Sequence, residues 1–259
     1  MGKRKRKLGN KSRKQITPQE SQCLADEIKE ELRSIIRQWD KLHKPLQCSE
    51  KVSHLPENHP HYRIEGAQSP DELKELILRF AGSVWQLKDR LKLWVEAKGL
   101  ELRETTANGV QEASLEKSLN LLLCADLYNA KKHGKLNHPR TTFSPTLSGV
   151  SFDTSKSGVV GIYYDGKASK MGDFLATNPE PVPYRVKILS GDGKVCFGDA
   201  VVVITRGFGY WIPLIRQLGI LMEDLESKWI AENLSRIEEY IKQTEPFKPG
   251  EEVIHIENK

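Results

Sequence analysis

Apolar residues recur at intervals of three and four along several stretches of the chain, and each recurrence predicts a helix with one inward face. The first runs to about Leu42, with Leu24, Ile28, Leu32, Ile35, Trp39 and Leu42 on its stripe. The second, from Pro70 to about Ala97, carries Leu73, Ile77, Phe80, Val84, Leu87, Leu91 and Val95. Both open on the same device. Thr17-Pro18-Gln19-Glu20 and Ser69-Pro70-Asp71-Glu72 place a hydroxyl at the N-cap, proline at N1 and glutamate at N3, so hydroxyl and carboxylate satisfy two orphan N–H groups reciprocally. Gly99 stops the second helix. A third is expected from near Ala113 to Gly134, after a polar connection around Thr105 to Gly109 short enough for antiparallel packing on the second. A last helix carries Met222, Leu225, Trp229, Leu234 and Ile237 on its apolar face.

The remaining segments have other periods. Val159 to Tyr164, ahead of Asp165-Gly166, reads as a strand ending in a turn. Val182 to Leu189, the Gly191-Asp192-Gly193 turn and Lys194 to Phe197 read as a hairpin. So few strands, without βαβ alternation, exclude a dinucleotide-binding sheet and suggest a flap on the helices. Ala200 to Ile204 suits a strand by its β-branched residues, yet Trp211, Leu214, Ile215, Leu218 and Leu221 continue at helical spacing. A helix from near Asp199, kinked or interrupted around Gly207 to Gly209, is the favoured reading. Residues 45–67, with Pro and His and no period, read as loop or linker, and 137–149 as loop. The fold class expected is mainly α (α+β), an antiparallel helical bundle with a small antiparallel β hairpin or flap. Its parts are a disordered basic tail over 1–16, an N-terminal helix over 17–44, a linker over 45–68, a bundle over 69–243 with a β insertion at about 158–197, and a C-terminal tail over 244–259.

Charge alters this picture only at one end. The 40 Lys and Arg against 35 Asp and Glu give +5, but Lys3, Arg4, Lys5, Arg6, Lys7, Lys11, Arg13 and Lys14 all fall in the first 14 residues. Without those eight the body stands near −3, so the basic character belongs to a tail. Almost free of apolar side chains, that tail is either merely solvated or a salt-sensitive arm for RNA or DNA. Cys23, Cys48, Cys124 and Cys196 lie far apart with no CxxC pair, which suits a reducing compartment and argues against a zinc-bound fold. No apolar run is long enough to span a bilayer and no secretory segment follows the charged N-terminus, so a cytoplasmic protein without a membrane partner is expected. His54, His59 and His61, near Glu57, lack a recognised ligand spacing, and neither a metal nor another cofactor is expected.

Candidate chemistry lies on the third helix. Leu119, Leu122, Asp126, Asn129 and His133 fall on one side, so three hydrogen-bonding side chains continue an apolar row. Buried without partners, such groups cost about 1–3 kcal/mol each, so they either lock helices or subunits together or form a site. In the site reading His133 exchanges a proton near neutral pH, with Asn129 and Asp126 one and two turns earlier and Lys131 and Lys132 beside it. Asp89 of the second helix lies beside the apolar stripe with Trp85, Leu93 and Glu96, and is expected to meet Lys132 or His133 across the helix pair. In the structural reading Asp126 and Asn129 bond to a facing helix and His133 caps the helix end.

Trp85-Gln-Leu-Lys-Asp-Arg-Leu91, Cys124-Ala-Asp-Leu-Tyr-Asn-Ala-Lys-Lys-His133 and the Gly-Asp-Gly hairpin leading to a Trp-bearing helix together resemble a broad group of bacterial helical proteins with a D-x-x-N-x-x-K-H helix. The third helix is similar to that of HEPN-like domains, helical bundles common in RNA-cleaving toxins and antiviral systems, and the resemblance runs from about Ser69 to Ile241. It implies a homodimer that joins an arginine, a polar residue and a histidine from two subunits to cut RNA without metal. By that resemblance Asn129 takes the polar position and His133 the histidine position, while Tyr128 stands where the arginine belongs. A tyrosine supplies no cationic fork, leaving Lys131 or Lys132 as the point charge. The leading reading is a defence or toxin-system component acting through a homodimeric or protein-partner interface. The second is a metal-independent endoribonuclease in which His133 moves the proton, Asn129 orients the phosphate, Lys132 offsets charge, and Asp126 and Asp89 orient the histidine or lysine. The third is a non-catalytic RNA- or DNA-binding module using the basic arm.

Overall fold

Both proline-led helix starts form as their spacing predicts. In a computed structural model of the chain the described residues are 17–44, 48–52, 61–64, 69–99, 110, 115–134, 139–152, 159–164, 171–176, 183–221 and 224–244. The basic arm, His54, Glu57, His59 and Met222 lie outside them. Helix α1 spans Pro18–His43 and α2 spans Pro70–Ala97. The Glu20 and Glu72 N–H groups each donate to the cap hydroxyl at 3.2 Å, and the cap N–H groups donate back to the glutamates at 2.7 and 3.0 Å. Caps of this kind contribute about 1 kcal/mol each. Gly99, at φ +63°, turns the chain out of α2. Helix α3 spans Leu119–His133, starting later than expected because Ser118, not a residue near Ala113, caps it; Gly134 at φ +67° closes it.

The β structure is larger than a hairpin or flap. Strands β1 (Cys48–Val52), β2 (His61–Ile64), β4 (Val159–Tyr164) and β5 (Met171–Ala176) form an antiparallel sheet in the order β1-β2-β5-β4. The segment expected as a linker thus contributes two strands, with Ile64 opposite Phe174. Strands β3 (Thr146–Phe152), β6 (Tyr184–Leu189) and β7 (Cys196–Asp199) form a second antiparallel sheet in the order β3-β6-β7. The hairpin around Gly191-Asp192-Gly193 is present as expected, but β3 takes up the end of the segment read as loop. A short strand selected by pairing rather than by propensity leaves little local signal, as β2 shows, whose partner β5 lies more than a hundred residues later.

Helix α4 (Ala200–Gly209) settles the ambiguity at Ala200 to Ile204. Asp199 ends β7 and caps α4, its Oδ1 accepting from Val201 and Val202 N–H at 2.9 and 3.2 Å. The helix is interrupted at Tyr210 and resumes as α5 (Trp211–Gln217); α6 spans Leu225–Gln243. Helix α4 lies at the centre, touching α1, α2, α3, α6 and the second sheet. Its Val203, Ile204 and Phe208 join Ile28, Ile35, Phe80, Val84, Leu121, Cys124, Trp211 and Ile237 in one core. Gly207 lets α4 approach α3 closely, since a Cβ there would stand 3.0 Å from Cys124 Sγ and 3.3 Å from the Asn120 carbonyl oxygen. Two buried indoles tie helices through their N–H groups: Trp211 to the Val84 carbonyl at 2.9 Å and Trp94 to the Leu218 carbonyl at 3.1 Å. On α6 the inward residues are Ile230, Leu234 and Ile237. Leu225 and Trp229, expected on that apolar face, point outward instead.

The first and last helices are pinned by charge. Lys29, 3 % exposed, donates to Asp224 Oδ2 at 2.7 Å, and Asp224 caps α6 by accepting from Ser227 N–H at 2.7 Å. The ammonium and that N–H hold the Asp224 carboxyl down at about 2. A depressed carboxylate stabilises the fold fully above its ordinary value near 3.8, and that contribution is lost as pH falls through about 2. Urea midpoints measured from pH 5 down to pH 2 are expected to fall more steeply for the natural chain than for Asp224→Asn; parallel curves would refute this role.

Candidate functional site

Asp126 is fully buried, as the periodicity of α3 implies, and among the described residues its partners lie in the chain after α3 rather than on a facing helix. Its Oδ1 accepts from Arg140 N–H at 2.7 Å, and Oδ2 accepts from Thr141 N–H at 2.7 Å and from the Thr141 hydroxyl at 2.6 Å. The carboxylate therefore clamps the chain that follows α3. Arg140 lies over the Trp85 ring, 4.8 Å from its centroid, and Phe143 meets Phe197 edge-on at 5.1 Å. The Gly191 N–H donates to the Phe143 carbonyl at 2.8 Å, which joins this loop to the β6–β7 hairpin.

The other residues of the row diverge. Asn129 is half-buried, whereas Lys132 and His133 are exposed in the last turn of α3. Helices α2 and α3 are antiparallel as expected: the Tyr128 hydroxyl accepts from Gln86 at 2.6 Å, its ring covers Gly82, and Lys131 pairs with Glu75. That register separates Asp89 from the end of α3. Asp89 lies 14 residues beyond Glu75, about 21 Å along the axis at 1.5 Å per residue, so it does not reach Lys132 or His133. It is exposed, 3.6 Å from the neighbouring Lys88 ammonium. Tyr128 is thus a packing residue between α2 and α3.

A cluster that the periodicity did not single out gathers where α1 and α6 meet. His43 lies against Trp39 with ring centres 4.0 Å apart, and Tyr240 meets them edge-on at 4.4 and 5.6 Å. His43 Nδ1 lies 2.8 Å from the Trp39 carbonyl, so Nδ1–H donates and Nε2 keeps its lone pair. Burial pulls the His43 pKa down, and the imidazole is neutral at pH 7. Burial, reinforced by the Asp199 carboxylate, pushes the Tyr240 phenol up to about 12. Burial also raises Asp199, against the pull of the Val202 and Val201 N–H groups. Among the described residues, Trp39 Nε1 and His43 Nε2 are buried without a hydrogen-bond partner. Such atoms cost about 1–3 kcal/mol each. The available sequence signal was Trp39 and His43 one turn apart at a helix end, but Trp39 alone reads as part of the apolar stripe.

Outward from these clusters, α6 exposes Leu225 (89 %) and Trp229 (39 %) one turn apart. Among the described residues no three His, Cys, Asp or Glu side chains come together as a metal site, and no helix is long and apolar enough to cross a membrane. The thiols of Cys124 and Cys196 are buried, and burial pushes Cys124 far above the ordinary thiol range, so Cys124 is no nucleophile. Compared with protein-family models, curated proteins and solved structures, the chain matches none.

Because Asp126 satisfies three donors at once, Asp126→Ala is expected to cost about 3 kcal/mol or more in urea unfolding. Asn129→Ala should stay within about 0.5 kcal/mol, as substitutions away from such features do. Equal losses at the two positions would contradict the clamp.

Proposed function

We propose that this protein acts by association, presenting the outer face of α6 to a second copy of itself. The observation that carries the reading is the exposure of Leu225 and Trp229 on adjacent turns. Tryptophan is among the residues most enriched in interface hot spots, and apolar anchors ringed by charge are the usual anatomy of such contacts. Lys228 and Glu232 lie exposed beside them, one turn apart and opposite in sign. Two α6 helices crossing antiparallel near Trp229 bring each Lys228 towards the Glu232 of the other copy, the self-complementarity that a twofold contact requires.

The arrangement of α3 supports association over catalysis. Three donors occupy the Asp126 carboxylate, Asp89 is remote, and Tyr128 is engaged by Gln86. A metal-independent ribonuclease remains the second reading, favoured by the exposure of Lys132 and His133 on one terminal turn. A defence or toxin setting rests on the HEPN-like resemblance alone. The nucleic-acid arm, Lys3 to Lys14, rests on its charge.

Light scattering of the full chain is expected to give the mass of two copies, falling to one when Leu225 and Trp229 are both changed to glutamate, with circular dichroism unchanged. A single-copy mass at every concentration tested sinks the proposal, and a complex only with some other protein reassigns the face. RNA cleavage that survives EDTA and disappears in H133A would establish the second reading; intact RNA dismisses it.

A further inference from the structure

His43, the last residue of α1, sits where a second ring proton meets no acceptor. Its Nδ1–H donates to the Trp39 carbonyl at 2.8 Å, which leaves the lone pair to Nε2, and Nε2 is buried with no partner among the described residues. The indole N–H of Trp39, 6 % exposed, is equally without one. With the imidazole neutral, one donor and one acceptor go unmet. With it protonated, the cluster holds two buried donors, one of them charged, and the cost of burial rises.

The groups that ordinarily stabilise an imidazolium are already engaged. Among the described residues the charges that act on His43 are Asp40, one turn earlier on α1, and Arg236 of α6, and these two are paired with each other. The Arg236 guanidinium also stands 5.0 Å from the Trp39 ring centre, so the indole that would attract a cation already serves one. Tyr240 meets the imidazole edge-on at 4.4 Å, and its phenol lies between the opposite charges of Asp199, which caps α4, and Arg206 within α4. Helix α2, which also packs on α1, puts no charge on the ring. Burial is the largest influence on His43 and holds it below its ordinary value near 6.5. A base lowered in this way stabilises the closed cluster fully above that ordinary value, and the contribution is lost as pH falls below it. Of the two helices α1 is the better placed to move. Arg206 donates to the Ile241 and Thr244 carbonyls and keeps the end of α6 on α4, whereas the chain leaving α1 has one long bond among the described residues, from the Tyr184 hydroxyl to the Lys44 carbonyl at 3.4 Å.

We propose that His43 is a proton-operated latch: uptake of one proton in mildly acidic solution turns its ring out of the cluster, opens the last turn of α1 and parts it from α6, while the rest of the bundle stays folded. No covalent bond is made or broken. The latch stands at the opposite end of α6 from Leu225 and Trp229 and does not rest on the association reading.

The test uses the full chain labelled with ¹⁵N and followed from pH 7.5 down to pH 5. The ring nitrogens of His43 are expected to show Nδ1 protonated and Nε2 bare at neutral pH, and to titrate below 6.5. Amide exchange at Lys41, Leu42 and His43, corrected for its intrinsic pH dependence, should report an opening constant that rises by up to about tenfold per pH unit below 6.5, the linkage of one proton, while amides in the middle of α2 keep theirs. In His43→Phe, which keeps an aromatic ring and takes up no proton, the opening constant should not depend on pH. Last-turn exchange with only the intrinsic pH dependence overturns the proposal, and so does a slope that persists in His43→Phe. Should that variant fold poorly, titration of the ring in the natural chain decides: a His43 that titrates at 6.5 or above sinks the latch.

Discussion

The Asp126 carboxylate fixes where the chain leaving α3 runs on its way to the second sheet. A carboxyl group buried in that position is tolerable because three short donors surround it, and all three come from the chain just beyond α3. With Arg140 and Thr141 held there, Phe143 is set against Phe197 and its carbonyl receives the Gly191 N–H. The loop is tight enough to hold Ser144 at φ +46°, a conformation costly for a residue with a Cβ. From that point the chain enters β3 in register with β6. One buried carboxylate thereby sets the position of the second sheet on the bundle.

What the sequence reveals depends on how local the physics is. The capping boxes at Thr17 and Ser69, the glycine stops at Gly99 and Gly134 and the cap at Asp199 are settled within four residues, and all are legible. The β1–β2 pair is not. Its strands are short and polar, and β2 owes its place to β5, more than a hundred residues later. The α3 row is an intermediate case. Periodicity shows Asp126 inward but cannot name a partner in a loop without a period, and it suggests a link from Asp89 to His133 that the register of Tyr128 on Gly82 excludes. Leu225 and Trp229 mislead for the opposite reason: their spacing is that of a buried face, but Ile230, Leu234 and Ile237 fill the inward side of α6.

Polar groups do specific work inside this core. The indole N–H groups of Trp94 and Trp211 reach carbonyls more than a hundred residues away, fixing α2 against the turn after α5 and against α5 itself. The Val84 carbonyl, inside α2, accepts its ladder bond and still has a second lone pair, so the Trp211 contact adds direction to apolar packing without disrupting the helix. Trp39, on the same kind of stripe, meets no acceptor among the described residues. The three indoles thus separate by their hydrogen bonds into two that lock helices and one left over, a distinction invisible to hydrophobic spacing.

Asp199 is both the last residue of β7 and the cap of α4, so sheet and central helix share a residue and have no connecting loop. There is no slack between them. A displacement of the 184–199 hairpin is passed directly into the one helix that touches nearly every other, rather than being absorbed at the surface. For the same reason the junction has a fixed phase: a single residue inserted between Gly198 and Ala200 would either rotate α4 by about 100° and carry Val203, Ile204 and Phe208 off their contacts, or shift β7 past β6 by one position. Length at this joint is as strictly set as the identity of any core side chain.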